Sequence, residues 1–200
     1  MRKIFQLCSI FALTLLFLNA SAQKQNSITV SGLYAFFPPS KMEGTGYSVA
    51  FQRTINSAYF VKAKYGYAQG WRELLAPTVQ VENYEMFPLH QNHAGFHLTV
   101  QPGYRLNISK IVQFNFSLGP SVSYQSSLKE LTNYIYSPIK YNYTNINQVF
   151  QEGLFFGGAA DLSMAFLLNE KWSILIEGSA MGYFKAQAVV NTGIGIQYSF

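Results

Sequence analysis

Cysteine is almost missing from this 200-residue chain, with Cys8 the sole example. That excludes a disulfide framework and cysteine-rich metal sites. Charge is scarce as well: only 12% of residues are Asp, Glu, Lys or Arg, and no basic run marks a nucleic-acid surface. Beyond the first 22 residues there is no continuous apolar stretch of the ~20 residues that a membrane helix needs. The chain is nonetheless 49% hydrophobic and 16% aromatic. Its apolar residues are laid out singly, at every second position, which is the period of a strand with two unlike faces.

The first 22 residues read as a secretory leader. Arg2 and Lys3 form a basic start, Ile10 to Leu18 an apolar core, and Ala20-Ser21-Ala22 a small-residue cleavage site before Gln23. Gln6 and Ser9 interrupt the segment, which is too short to span a membrane. Cys8 lies ahead of the apolar core, so it is not placed for lipoprotein acylation and is removed with the leader. The expected organisation is residues 1–22 as signal peptide and 23–200 as one domain without cysteine, carrying 12 basic and 9 acidic side chains.

Eight strands can be read from the alternation. The first sets Ile28, Val30, Gly32, Tyr34 and Phe36 against Ser27, Thr29 and Ser31. The second sets Tyr47, Val49 and Phe51 against Ser48, Ala50 and Gln52. The third sets Tyr59, Val61, Ala63, Tyr65 and Tyr67 against Lys62, Lys64 and Gly66. The fourth sets Ala94, Phe96, Leu98, Val100 and Tyr104 against His93, His97, Thr99, Gln101 and Arg105. The fifth sets Val112, Phe114, Phe116, Leu118, Val122 and Tyr124 against Gln113, Asn115, Ser117 and Ser121. The sixth sets Leu154, Phe156, Ala160, Leu162, Met164 and Phe166 against Asp161 and Ser163. The seventh is weaker, because Leu175 and Met181 sit among Ser173, Glu177 and Ser179, opposite Trp172, Ile174, Ile176 and Ala180. The eighth ends the chain with Thr192, Ile194, Ile196, Tyr198 and Phe200 on one face.

No charged residue falls on the large-apolar face of these strands. Lys62, Lys64, His93, His97, Arg105, Asp161 and Glu177 all fall on the other. That second face is otherwise made of Gly, Ser, Ala, Asn and Gln, which suits a narrow interior better than a solvent face rich in Lys and Glu. Short turns are expected at Asn56-Ser57, Asn107-Ile108-Ser109 and Asn169-Glu170. Long links are expected over 37–45, 70–91 and 125–148, with a brief one near Lys185. Tyr104, Trp172, Tyr198 and Phe200 cluster near the short turns, and Tyr34, Phe36, Tyr67, Trp71 and Tyr124 near the long links, as two membrane-interface girdles would. Pro102 and Pro120 are expected to weaken pairing and to mark bulges.

With these strands and the closing Gln197-Tyr198-Ser199-Phe200, the chain resembles the small OmpA- and OmpX-type barrels and the short single-domain barrels of bacteroidete-type outer membranes. The resemblance implies an all-β, eight-stranded antiparallel up-and-down transmembrane β-barrel in the outer membrane of a Gram-negative bacterium, with both termini periplasmic. It further implies that Tyr198 and Phe200 form the signal read by the barrel-assembly machinery. Outer-membrane lipid and lipopolysaccharide would be its surroundings. A monomer without cofactor, metal or nucleic acid is expected.

Eight strands enclose a lumen that side chains fill. The expected lumen network comprises Lys62, Lys64, His93, His97, Gln101, Arg105, Asp161 and Glu177, with the two lysines reaching across to the two carboxylates, since unpaired interior charges are costly. His93 and His97 are four strand residues apart, about 13 Å, too far to share one metal ion. Function is expected at the outer loops, where Tyr134, Tyr136, Tyr141 and Tyr143 offer stacking area for a glycan or protein ligand. The same stretch could instead simply prolong the fifth and sixth strands. Two alternatives stand: a lipid A-modifying barrel enzyme and a narrow channel for small solutes. Against the enzyme, His97 is followed by Leu98-Thr99 rather than the His-x-Ser arrangement of the lipid A deacylases, and it is expected to face inward.

Overall fold

The computed structural model describes residues 26–38, 40–79, 84–132 and 146–200. Residues 74–79, 84–90, 129–132 and 146–148 are described by backbone alone. The expected leader, 1–22, lies outside the described residues, and so do Tyr134, Tyr136, Tyr141 and Tyr143. Eight strands follow one another: β1 (Asn26–Phe37), β2 (Met42–Thr54), β3 (Tyr59–Val79), β4 (Tyr84–Asn107), β5 (Val112–Thr132), β6 (Ile146–Leu167), β7 (Trp172–Tyr183) and β8 (Val189–Ser199). Each pairs antiparallel with its neighbours in sequence, and β8 returns to β1, so the sheet is a closed up-and-down barrel. The last backbone bonds of that closure join the start of β1 to the last residue: Asn26 N donates to Phe200 O at 2.9 Å, and Phe200 N donates to Asn26 O at 2.8 Å.

The faces fall as the alternation indicates. Ile28, Val30, Phe116, Phe156, Leu162, Ile176, Ile194 and Ile196 point outward, with Leu162 54% and Ile194 65% exposed. Ser27, Thr29, Ser31, Ser48, Gln52, Ser117, Ser163 and Gln197 point inward and are buried. Over most of its height the barrel is thus greasy outside and polar within, the reverse of a soluble barrel. Outward aromatics pair across strands at both rims. At the short-turn rim, Tyr59 meets Tyr104 at 5.4 Å and Trp172 meets Tyr198 at 4.8 Å. At the other rim, Tyr47 meets Tyr67 at 5.6 Å and Tyr67 meets Phe96 at 4.9 Å.

The three short turns share one device, a polar side chain folding back onto the next strand's first amides. Asn56 Oδ1 accepts from the amides of Ala58 and Tyr59, at 2.9 and 2.8 Å. Asn169 Oδ1 accepts from Lys171 and Trp172, both at 2.9 Å. Ser109 Oγ accepts from Ile111 and Val112, at 3.3 and 3.1 Å.

Two expectations require correction. The links expected at 37–45 and 70–91 are mostly strand in their described residues, and the one at 125–148 is strand over 125–132 and 146–148, as the alternative of prolonged fifth and sixth strands has it, with 133–145 outside the described residues. β1 and β2 continue to Phe37 and from Met42; β3 and β4 pair as far as Val79 and Tyr84; β5 and β6 pair as far as Thr132 and Ile146. In these stretches the backbone ladder continues without the alternation that reveals it in sequence. Nor do Pro102 and Pro120 produce bulges. Pairing of β4 with β5 lapses between Thr99↔Ser121 and Gly103↔Ser117 and resumes in the same register. Proline removes a donor without adding a residue. The gap is held tight by Gly119, where a Cβ would collide with the Val100 carbonyl.

Replacing Leu162 by Arg should destabilise the folded barrel in lipid vesicles by about 2–4 kcal/mol, the cost of a cation against mid-depth hydrocarbon. Leu162→Phe should leave urea-unfolding midpoints nearly unchanged. Equal midpoints for the two variants would contradict the outward placement of this face.

Candidate functional site in the barrel lumen

Inward side chains of β4 run down the lumen and mark its levels: Arg105 nearest the short turns, then Gln101, His97 and His93. All eight residues expected in the lumen network do face the interior. Seven are buried and Arg105 is half-buried.

The middle level is a charge cluster. β3 presents Lys62 and Lys64 from alternate positions, and β6 and β7 present Asp161 and Glu177 from the opposite wall. Lys62 Nζ lies 2.5 Å from Asp161 Oδ2, and Lys64 Nζ lies 3.6 Å from the same oxygen and 3.5 Å from Glu177 Oε2. Ser48 Oγ donates to Glu177 Oε1 at 3.3 Å, and Ser117 Oγ donates to Gln101 Oε1 at 3.1 Å. Two cations and two carboxylates leave the cluster formally neutral. That balance is what a low-dielectric interior demands, because either sign alone would cost several kcal/mol.

The next level is a hydroxyl–imidazole cluster. His97 Nδ1 lies 2.8 Å from Tyr183 Oη and 2.9 Å from Ser123 Oγ, while Ser121 Oγ lies 2.9 Å from Tyr183 Oη. Ser123 Oγ donates to the Phe96 carbonyl at 3.0 Å. The His97 and Tyr183 rings stack at 5.7 Å. Sequence reasoning missed Tyr183, Ser121 and Ser123 as partners of His97. Parity along β7 and β5 gives their inward direction, but their shared height depends on registers that a single sequence does not reveal.

Above this level the lumen turns apolar. Ala35, Phe37, Met42, Ala68, Ala159, Met181 and Val189 form a buried cluster with Tyr183 packed against it. The ring of His93 meets that of Phe37 edge-on at 4.8 Å. This plug was legible only in part: Leu33, Ala35 and Phe37 break the polar run of β1's inner face. Beyond it, Gln125 exchanges two 3.2 Å hydrogen bonds with the Gln187 backbone, tying the β7–β8 loop to β5. Arg72 Nη1 similarly holds the Ser40 carbonyl at 2.9 Å.

Open space around the charge and imidazole levels is about 10 Å³, lined by Lys64, His97, Thr99, Asp161, Met181 and Asn191 among others. That is roughly the volume of one water probe. The arrangement can hold a network rigid. His97 and Ser123 are both buried and point away from the lipid-facing side.

No family model and no curated protein matches the sequence. Solved structures do match in shape. Neisserial surface protein A aligns with a TM-score of 0.56 at 9% identity, over 91% of this chain and all of that one. Ail, the attachment invasion locus protein of Yersinia pestis, aligns with a TM-score of 0.53 at 14% identity, over 90% and 100%. The outer membrane protein OprG of Pseudomonas aeruginosa aligns with a TM-score of 0.52 at 10% identity, over 91% and 98%. The fold is that of the small outer-membrane β-barrels. The outward apolar face and the largely polar inner face described above are the side-chain counterpart of that barrel fold.

Within the charge cluster, Asp161 answers two lysines and Glu177 one. Asp161→Asn should therefore cost more stability than Glu177→Gln, about 3–5 kcal/mol for stranding a buried charge. Adding Lys62→Met to Asp161→Asn should recover part of that loss in urea titrations. Strict additivity of the two substitutions would contradict the coupling.

Proposed function

We propose that this protein is an integral outer-membrane barrel whose role is structural or surface-interacting, performed by its tall outer hairpins rather than through its lumen. In this reading both chain ends lie at the periplasmic rim and the hairpins face outward. The observation that supports it best is the contrast between a filled interior and a lopsided wall. β1, β2, β7 and β8 are 11 to 13 residues long, whereas β3 to β6 are 21 to 24. β2 stops pairing with β3 at Glu43↔Trp71, yet β3 runs on with β4 from Arg72↔Gln91 to Val79↔Tyr84. Eight further strand residues rise about 27 Å at the usual strand spacing.

Between those hairpins the β4–β5 ladder ends at Gln91↔Lys129, and the last backbone bond from β6 to the β7 side among the described residues runs from Phe184 N to Phe156 O at 3.0 Å, so β6 before Phe156 continues with β5 alone. Unpaired strand edges in water are costly to leave unmanaged and ready to meet another molecule. A glycan or protein ligand is the partner class this surface suits, with Tyr134, Tyr136, Tyr141 and Tyr143 following in the same hairpin. Lipopolysaccharide and outer-membrane lipid would contact the apolar belt and its aromatic rims. Tyr198 and Phe200, on the outward face of the closing strand end, are the residues offered to the assembly machinery.

A peptide tag inserted within residues 80–83 should be stained by antibody on intact cells, and the purified barrel should give a flat trace in planar bilayers. A tag reached only after permeabilisation would reverse the orientation. Steady single-channel currents would return the channel reading in place of this one.

A further inference from the structure

At the short-turn mouth the lumen opens into a cup of about 370 Å³, lined by residues from β1, β2, β4, β5, β6, β7 and β8. Its volume is in the range of pockets that hold small molecules, whose lower bound is about 300 Å³. Apart from Leu167, the uncharged walls are hydroxyls and amides: Ser27, Thr54, Gln113, Ser173, Gln197 and Ser199. Its deeper charged group is Arg105. The Arg105 backbone amide is pinned to the Ala58 carbonyl at 2.6 Å, and its Nε donates to Asn115 Oδ1 at 3.1 Å. The guanidinium carbon sits 5.9 Å from the centre of the Phe60 ring. Phe60 is itself buried against Gly103, on whose inner face a Cβ would strike the ring.

Arg105 is therefore a positioned cation, oriented by an amide and an aromatic face, with no ion pair to a carboxylate among the described residues. It differs in this from Lys62 and Lys64, which the charge cluster neutralises. Glu170 also lines the cup, but from an exposed turn at the rim, where water screens it. A planar fork of N–H donors facing a polar, enclosed space matches the oxygens of a carboxylate or phosphate.

We propose that this cup is a binding site for a small oxyanion, with Arg105 as the anchoring residue and Glu170 as a rim charge that limits its affinity. The site's periplasmic address rests on the orientation proposed above, whereas the cup and its chemistry do not. Inorganic phosphate and acetate, titrated separately into the folded protein in zwitterionic detergent, are the probes, read by the side-chain Nε–Hε NMR signal of Arg105. At least one probe should shift that signal saturably. Arg105→Gln, followed by calorimetry, should weaken binding at least about tenfold, as expected for loss of a charge-assisted hydrogen-bonding group. Glu170→Gln should tighten it. Absence of a saturable shift with either probe in the unaltered protein, or undiminished calorimetric binding in folded Arg105→Gln, would overturn the proposal. Because the measurement is made in detergent, it is indifferent to which side of a membrane the cup faces.

Discussion

Closure of the β1–β8 seam is the constraint on which every other feature depends. A sheet exposed to hydrocarbon cannot leave N–H and C=O groups without partners, and a ring of strands satisfies them without helices. The pairs from Ser27↔Ser199 to Phe36↔Val190 complete that ring. Once it is shut, strand parity sorts all side chains into two populations, outside and in. At mid-height the inside is a tube only wide enough for side chains, so the charges buried there must neutralise one another locally. Lys62, Lys64, Asp161 and Glu177 do so from three strands that are remote in sequence and meet only because the sheet is closed.

Within the apolar belt, sequence alone was an accurate guide. Hydrocarbon outside and a confined polar space inside impose opposite demands on neighbouring residues, and Val30 beside Ser31 or Leu162 beside Asp161 carries that contrast openly. Even the weak seventh strand was legible, because Leu175 and Met181 are small exceptions in a run otherwise in phase. Above the belt the contrast disappears. The order of residues 72–79 and 84–90 shows no regular apolar–polar alternation that would distinguish paired strand from loop, and Pro77 and Pro88 resemble breaks. The lumen partners were hidden for another reason. That Ser123 and Tyr183 meet His97 depends on the offsets between adjacent ladders, which accumulate around the ring. The prolines misled because their usual association with bulges ignores that a missing donor can be tolerated as a short lapse in one ladder, here between β4 and β5.

The wall heights divide the molecule into regions suited to different work. β7, β8, β1 and β2 form a low side whose loop and turn are fastened by Gln125 and Arg72, while β3 to β6 form a high side. Between the rims the interior is layered: a polar cup with Arg105, a neutral charge cluster, the His97 hydroxyl cluster and an apolar plug. The cup and the hairpins occupy the two ends of the barrel.

The account rests on hydrocarbon lying against the outward face, and the cysteine-poor chain makes a direct measurement practical. Nitroxide labels placed one at a time on cysteines at positions 30, 162 and 194 of the vesicle-embedded protein can be tested for collision with oxygen and with a water-soluble nickel chelate. The account predicts strong relaxation by oxygen and little by nickel at all three, with the reverse at position 110 in a turn. Nickel accessibility at 162 or 194 as high as at 110 would mean that water covers this face, and the barrel would not be a membrane protein.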